Sequence, residues 1–153
     1  MNLQVLLTDG LWGGVFSLAM AVVFSTPYGA LMPSFCCGFV ARGVRDALVG
    51  WGMGPILATA VAAAAVVITA TALVRRSGVS PIVMLSALVP LGAAGPFFNA
   101  IVDFLQLSSA KGAAFNTVPV KLIVDLSRVF TTFLAIAVGA WVGIALSRMT
   151  RLE

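Results

Sequence analysis

From Pro55 to Val74 the chain has no charged residue and is rich in alanine. A helix that crosses the hydrocarbon core of a bilayer needs about 20 mostly apolar residues in succession. A run of that length inside a short chain leaves few soluble folds open. The rest of the sequence closes them: 61% of its 153 residues are hydrophobic and only 9% are charged. A soluble domain carries about 25% charged residues and still exposes much of its surface. The expectation is an all-α, polytopic membrane helix bundle that forms a single integral membrane domain over residues 1–153.

Prolines and glycines divide the chain into five segments. The first runs from Val5 to Phe24 and ends at Ser25-Thr26-Pro27. Proline disfavours helix in the residue before it and is accommodated at a helix start. The second therefore spans Pro27 to Val49, and it carries Arg42, Arg45 and Asp46 in its last third. It either crosses fully with those charges facing the bundle interior or ends near the interface. A glycine-rich loop follows, with Trp51 placed like an interfacial anchor. The third segment is Pro55 to Val74, closed by Arg75-Arg76-Ser77-Gly78. The fourth, Pro81 to Leu107, is broken by Pro90, Gly92, Gly95 and Pro96. Broken helix at membrane depth is tolerated where protein or a water-filled cavity surrounds it. After a polar loop, Ser108 to Thr117, the fifth runs from Pro119 to Leu146. Four of the five are expected to span; the second is the open one.

Basic residues lie singly or in pairs between apolar runs, the pattern of membrane flanks. Arg75, Arg76, Arg148 and Arg151 share a side if the fifth helix returns to it, and that side is placed in the cytoplasm, with Lys111 and Lys121 outside. Nucleic acid is not an expected partner, because no basic face or recognition helix is present. Met1 to Leu7 lacks the positive start of a cleavable signal, so the first helix is expected to be retained, with no soluble domain around the apolar segments. Cys36 and Cys37 are adjacent and read as small buried hydrophobes. The chain has no histidine, no phosphate-binding loop and no nucleophile beside a base; no enzyme, cofactor or metal is expected.

Lipid offers no hydrophobic drive for helix association, so small residues that let backbones approach take over. Gly139 and Gly143, extended by Ala135, form one such stripe. Ala58, Ala62 and Thr69 form another. Each serves internal packing or docks a further subunit.

Ionisable groups inside a bilayer are costly and face a cavity or a partner. Arg42 and Arg45, three apart, share a helix face. They attract an anionic solute, or they snorkel to headgroups with Asp46 as a local counter-ion. Pro96 is suited to open a new half-helix, whose N-terminus presents free N–H groups and a positive dipole end. Asn99 and Asp103 follow on one face, Asn99 to bond a carboxylate or amine and Asp103 to carry a proton or cation; the plain alternative is a simple kink. Lys121, Asp125 and Arg128 are spaced for a structural ion-pair ladder. Asp9 reads as a charge near a helix N-terminus, or as a cavity-facing group.

These residues also resemble a family. Ala19 to Leu31, AMAVVFSTPYGAL, is similar to the segment joining the first two helices of threonine/serine exporters of the ThrE type. The closer likeness is to the small subunit of the two-component form, the YjjB-like half. An acidic residue precedes that segment there, and Asp9 matches it. Gly38-Phe39-Val40-Ala41-Arg42-Gly43-Val44-Arg45 has the shape of the family's basic signature. Gly38, Gly43 and Arg45 match, Arg42 stands where histidine is common, and Ala41 replaces a glycine. Ser80-Pro81 and Ala87-Leu88-Val89-Pro90 resemble the start of its proline-broken helix. Ala93 and Ala94 occupy the place of a second proline-glycine, and Gly95-Pro96 supplies the break three residues later.

The resemblance implies a subunit of a secondary exporter in the bacterial inner membrane, working with a larger membrane subunit and driven by an ion or proton gradient. The solutes would be threonine/serine-type amino acids or succinate-type dicarboxylates. Arg42, Arg45, Asn99 and Pro96 would bind them, with Asp103 and Asp9 as coupling groups. The alternatives are a non-transporting assembly subunit or a homo-oligomeric channel.

Overall fold

A computed structural model describes residues 3–74, 80–92, 94–109 and 114–149. Arg75, Arg76, Ser77 and Gly78, and also Ala93, Lys111 and Arg151, lie outside the described residues. Among the described residues six α-helices follow in order: α1 (Leu3–Val23), α2 (Tyr28–Gly50), α3 (Pro55–Leu73), α4 (Ser80–Leu88), α5 (Ala94–Ser109) and α6 (Ala114–Met149). A single 3₁₀ turn, Val89–Leu91, follows α4. No strand occurs among the described residues. Apolar side chains cover the outside, with Trp12, Phe16, Val22, Phe130 and Trp141 among those exposed. The chain is an all-α membrane-type bundle.

Three helices are long and apolar enough to cross a bilayer, within Gln4–Val23, Pro55–Leu73 and Val118–Met149. A fourth span is added if Pro81–Leu91 and Pro96–Leu107 count as one interrupted crossing. The second segment, expected as an open fifth, fails that test because of its charges. Its 23 residues nevertheless make an unbroken helix of full span length. Two tight turns join it to spanning helices at both ends.

Both turns have the same construction. At the end of α1, Ser25 N–H donates to Val22 O and Thr26 N–H to Ala21 O. At the end of α2, Gly52 N–H donates to Val49 O and Met53 N–H to Leu48 O. This pair of bonds satisfies the last carbonyls of a helix around one residue in the left-handed conformation. That residue is Gly52 in one turn (φ 88°) and Ser25 in the other (φ 53°). Proline follows shortly in both.

Two other boundaries differ from expectation. α5 runs on to Ser109 and α6 begins at Ala114, so helix takes up most of the expected polar loop. Pro119 sits inside α6, in its second turn, where it gives up one backbone bond. The uncharged stretch from Val129 to Ser147 is about the length of one crossing.

The chain divides into two compact units: Met1–Leu91 with Ala135–Glu153, and Gly92–Leu134. In the first unit α2 is central, packed by α1, α3 and α4, while α1 and α3 flank it on different sides. Its core is made of small side chains, including Ala41, Ala62, Ala63, Val66, Ala70, Val83 and Ala87. A Cβ added to Gly38 would collide with Ser17 Cβ and Gly13 O. One added to Gly139 would meet the backbone of Ala60, and one added to Gly143 would meet Val67 Cβ at 2.8 Å. The Gly139–Gly143 stripe, with Ala135 buried beside it, is therefore used internally against α3. Two buried hydroxyls in this unit are satisfied by backbone carbonyls: Ser17 donates to Ser34 O at 2.8 Å, and Ser34 to Ala30 O at 2.9 Å. Cys37 is buried, but Cys36 is exposed, because adjacent helical positions point about 100° apart.

The second unit comprises α5 and the part of α6 up to Leu134. α5 is amphipathic. Asn99 and Asp103 mark one side, and Phe97, Ile101 and Phe104 the other.

Candidate functional site

The central helix of the first unit carries three charges within two turns, and its neighbours meet them. Arg42 Nε lies 2.8 Å from Asp46 Oδ2, one turn on. The pair is only partly shielded, with the two side chains 36% and 24% exposed. The Arg42 N–H is not aimed at the oxygen, so this is an ion pair in which Asp46 Oδ2, itself buried, receives no hydrogen bond. Arg45 turns elsewhere: its Nε donates to Thr59 Oγ1 on α3 at 3.1 Å. Thr59 is buried and donates in turn to Pro55 O at 2.7 Å. The two arginines expected on one face thus serve different neighbours. Arg42 lies on the α1 side, where a Cβ on Gly13 would meet its Cβ at 2.5 Å. A shift of three residues rotates the side chain by about 60°, enough to send Arg45 to α3 instead.

Asp9 is half-buried on α1. It lies in the second turn, since α1 begins at Leu3. The helix-dipole benefit fades within the first turn, so the expected N-terminal role does not apply. The antiparallel register sets Ser17 against Ser34 and Gly38, and Gly13 against Gly38 and Arg42. One turn earlier, Asp9 comes to the level of Arg42–Asp46. It makes no ion pair among the described residues.

The second unit holds a cleft of about 460 Å³ between α5 and α6. Asn99, Val102 and Asp103 line it from α5; Lys121, Asp125 and Arg128 line it from α6. Asn99 and Asp103, four apart, share the wall as helical spacing requires. Facing them are the three residues expected to form a structural ladder. Among the described residues one rung forms: Arg128 Nη1 lies 3.4 Å from Asp125 Oδ1, with Asp125 largely shielded and Arg128 exposed. Lys121 and Asp103 have no ion pair among the described residues. The cleft therefore sums to zero charge but offers one unpaired ammonium and one unpaired carboxylate, with an amide nearby. Pro96 stands in the first turn of α5, where a missing N–H costs nothing. It opens the helix that carries Asn99 and Asp103 but does not line the cleft.

Thr59 carries no mark in the sequence, and Lys121 and Arg128 are marked there only as members of a ladder. Thr59 looked like one more small residue on an alanine-rich helix. Lys121 and Arg128 were assigned to packing because their spacing satisfied a ladder without any reference to α5. Among the described residues, no three side chains of metal-ligating type converge. No family model, curated protein or solved structure matches this chain.

Proposed function

We propose that this chain is a membrane subunit of a secondary exporter for small carboxylate-bearing solutes, either threonine/serine-type amino acids or succinate-type dicarboxylates. The observation that carries the reading is the α5–α6 cleft. An unpaired carboxylate, an unpaired ammonium and an amide gather in one cleft beside the uncharged stretch of α6, and in membrane proteins such groups mark solute and ion pathways. A half-helix opened by proline is a recurring device at such sites. Lys121 and Arg128 supply cations for a solute carboxylate, Asn99 a neutral hydrogen-bonding group, and Asp103 a proton carrier. Asp9 is the second candidate for coupling. The succession of exporter-like segments along the sequence supports the same reading. It also supports a larger membrane subunit as partner, a bacterial inner-membrane location and a gradient rather than ATP as the driving force. No catalytic chemistry is assigned to the chain.

A second reading, a non-transporting assembly subunit, draws support from Arg42, whose charge is engaged by Asp46 within the chain. The discriminating experiment is efflux of labelled serine and succinate from cells carrying the wild-type chain or Asp103→Asn, with membrane levels matched. At least a tenfold loss of efflux is expected. Unchanged efflux favours the assembly role.

A further inference from the structure

We propose that Arg45, held in place by Thr59, forms an oxyanion site at the α2–α3 end of the first unit. Its ligand is a phosphate or carboxylate group, from a lipid headgroup or from a free solute. The inference does not depend on the export reading and rests on residues of the first unit alone.

The argument starts from the fork geometry of a guanidinium. Arginine stays charged and presents five N–H donors in one plane. Arg45 uses Nε on Thr59 Oγ1 at 3.1 Å. Because Thr59 spends its own proton on Pro55 O, its oxygen is left as an acceptor that orients the guanidinium. The two terminal nitrogens of Arg45 make no hydrogen bond to the described residues. Their arrangement side by side is the one that binds a carboxylate or phosphate in a bidentate manner.

No carboxylate among the described residues forms an ion pair with Arg45. Asp46, the nearest acidic neighbour in sequence, is paired with Arg42 at 2.8 Å. Asp9 sits on α1, and α1 flanks α2 on a different side from the α3 helix that carries Thr59. A half-buried arginine without a carboxylate is an unusual arrangement in a helix of span length, because a charge held there is paired or hydrated.

Depth sets which oxyanions can reach the site. Arg45 lies five residues before the end of α2, and Thr59 four after the start of α3. At about 1.5 Å per residue both stand roughly 7 Å inside the helix ends. Trp51, 81% exposed, sits in the loop above them. Tryptophan at such a position marks the level of the headgroups. Lipid phosphates and solutes arriving from water both reach that level.

The test uses the full-length protein. Nanodiscs of phosphatidylcholine, with or without phosphatidylglycerol, are compared by native mass spectrometry for retained lipid and by thermal unfolding for stability. In a second arm, succinate and inorganic phosphate are added to the phosphatidylcholine discs. The wild-type protein is expected to retain phosphatidylglycerol, or to be stabilised by the free oxyanions. Arg45→Gln should lose that response. Thr59→Val, which keeps the shape but removes the acceptor, should weaken it about tenfold, the worth of one charge-assisted hydrogen bond. Arg45→Lys, which keeps the charge and loses the fork, should fall between them, and it serves where Arg45→Gln does not fold. A response confined to phosphatidylglycerol assigns the site to lipid; a response to succinate or phosphate assigns it to solute. A wild-type protein indifferent to every probe, or one whose response survives in both Arg45→Lys and Thr59→Val, overturns the proposal.

Discussion

The two units are built from similar apolar helices and differ in the polar space between those helices. In the first, the buried Ser17, Ser34 and Thr59 hydroxyls are spent on backbone carbonyls, Arg42 on Asp46 and the Arg45 Nε on Thr59. Between its helices Gly13, Gly38, Gly139 and Gly143 bring neighbouring helices into close contact. In the second, Asp103 and Lys121 are left unpaired around an open cleft. The contrast separates two uses of polar groups in lipid. Where they are satisfied inside the chain they fix helix positions. Where they are left open they face water or a ligand.

The largest expected break of that contrast is steric. Gly139→Leu places a side chain against the backbone of Ala60, which cannot move aside. It should destabilise the first unit by about 3 kcal/mol or more, read as a lowered unfolding midpoint in detergent. Asn99→Leu, in the wall of the open cleft, should leave that midpoint within about 0.5 kcal/mol of wild type. Equal losses in the two variants would erase the distinction between the units.

Next in size is the charge pair of the first unit. Arg42→Ala leaves Asp46 Oδ2 without its cation and should cost about 1–3 kcal/mol. Adding Asp46→Asn should restore part of that loss, so the double variant is expected to be more stable than the single one. In the second unit Lys121→Ala removes no internal partner. Its effect should fall on solute efflux, with stability changed by less than about 0.5 kcal/mol.

The smallest effect concerns the two turns. Ser25 holds a left-handed conformation that costs an L-residue about 1–2 kcal/mol, whereas Gly52 holds the equivalent place at no steric cost. Ser25→Gly should raise stability by up to about 1 kcal/mol after the extra chain entropy of glycine is counted. Gly52→Ala should lower it by a similar amount. Both are measurable by chemical or thermal unfolding.

Much of this was legible in the sequence because prolines and glycines punctuate it. The turns at Ser25–Pro27 and Gly52–Pro55, the uncharged third helix and the break around Pro90 to Pro96 follow from local chemistry alone. Helix starts not marked by proline were misplaced, as at Ala114, where five residues precede Pro119 inside the helix. The sites were legible only as separate pieces. Spacing along one helix put Asn99 beside Asp103 and Lys121 beside Asp125 and Arg128, but nothing along the chain says that α5 and α6 share a cleft. Arg45 and Thr59 met for the same hidden reason: their contact depends on the rotation of α2 against α3, which the small core residues set. The internal role of Gly139 likewise required its partner, Ala60, to be seen.

The central claim is that α5 and α6 enclose a water-reachable polar cleft while the buried hydroxyls of the first unit, Ser34 among them, are sealed by packing. Substituted-cysteine labelling in native membranes tests it most directly, in a background with Cys36 and Cys37 replaced by serine and alanine. Cysteine is placed singly at Asn99, Lys121 and Ser34 and exposed to a charged, membrane-impermeant thiol reagent. Positions 99 and 121 are expected to label at least ten times faster than position 34. Labelling of all three at one rate, or protection of both cleft positions, would contradict the account.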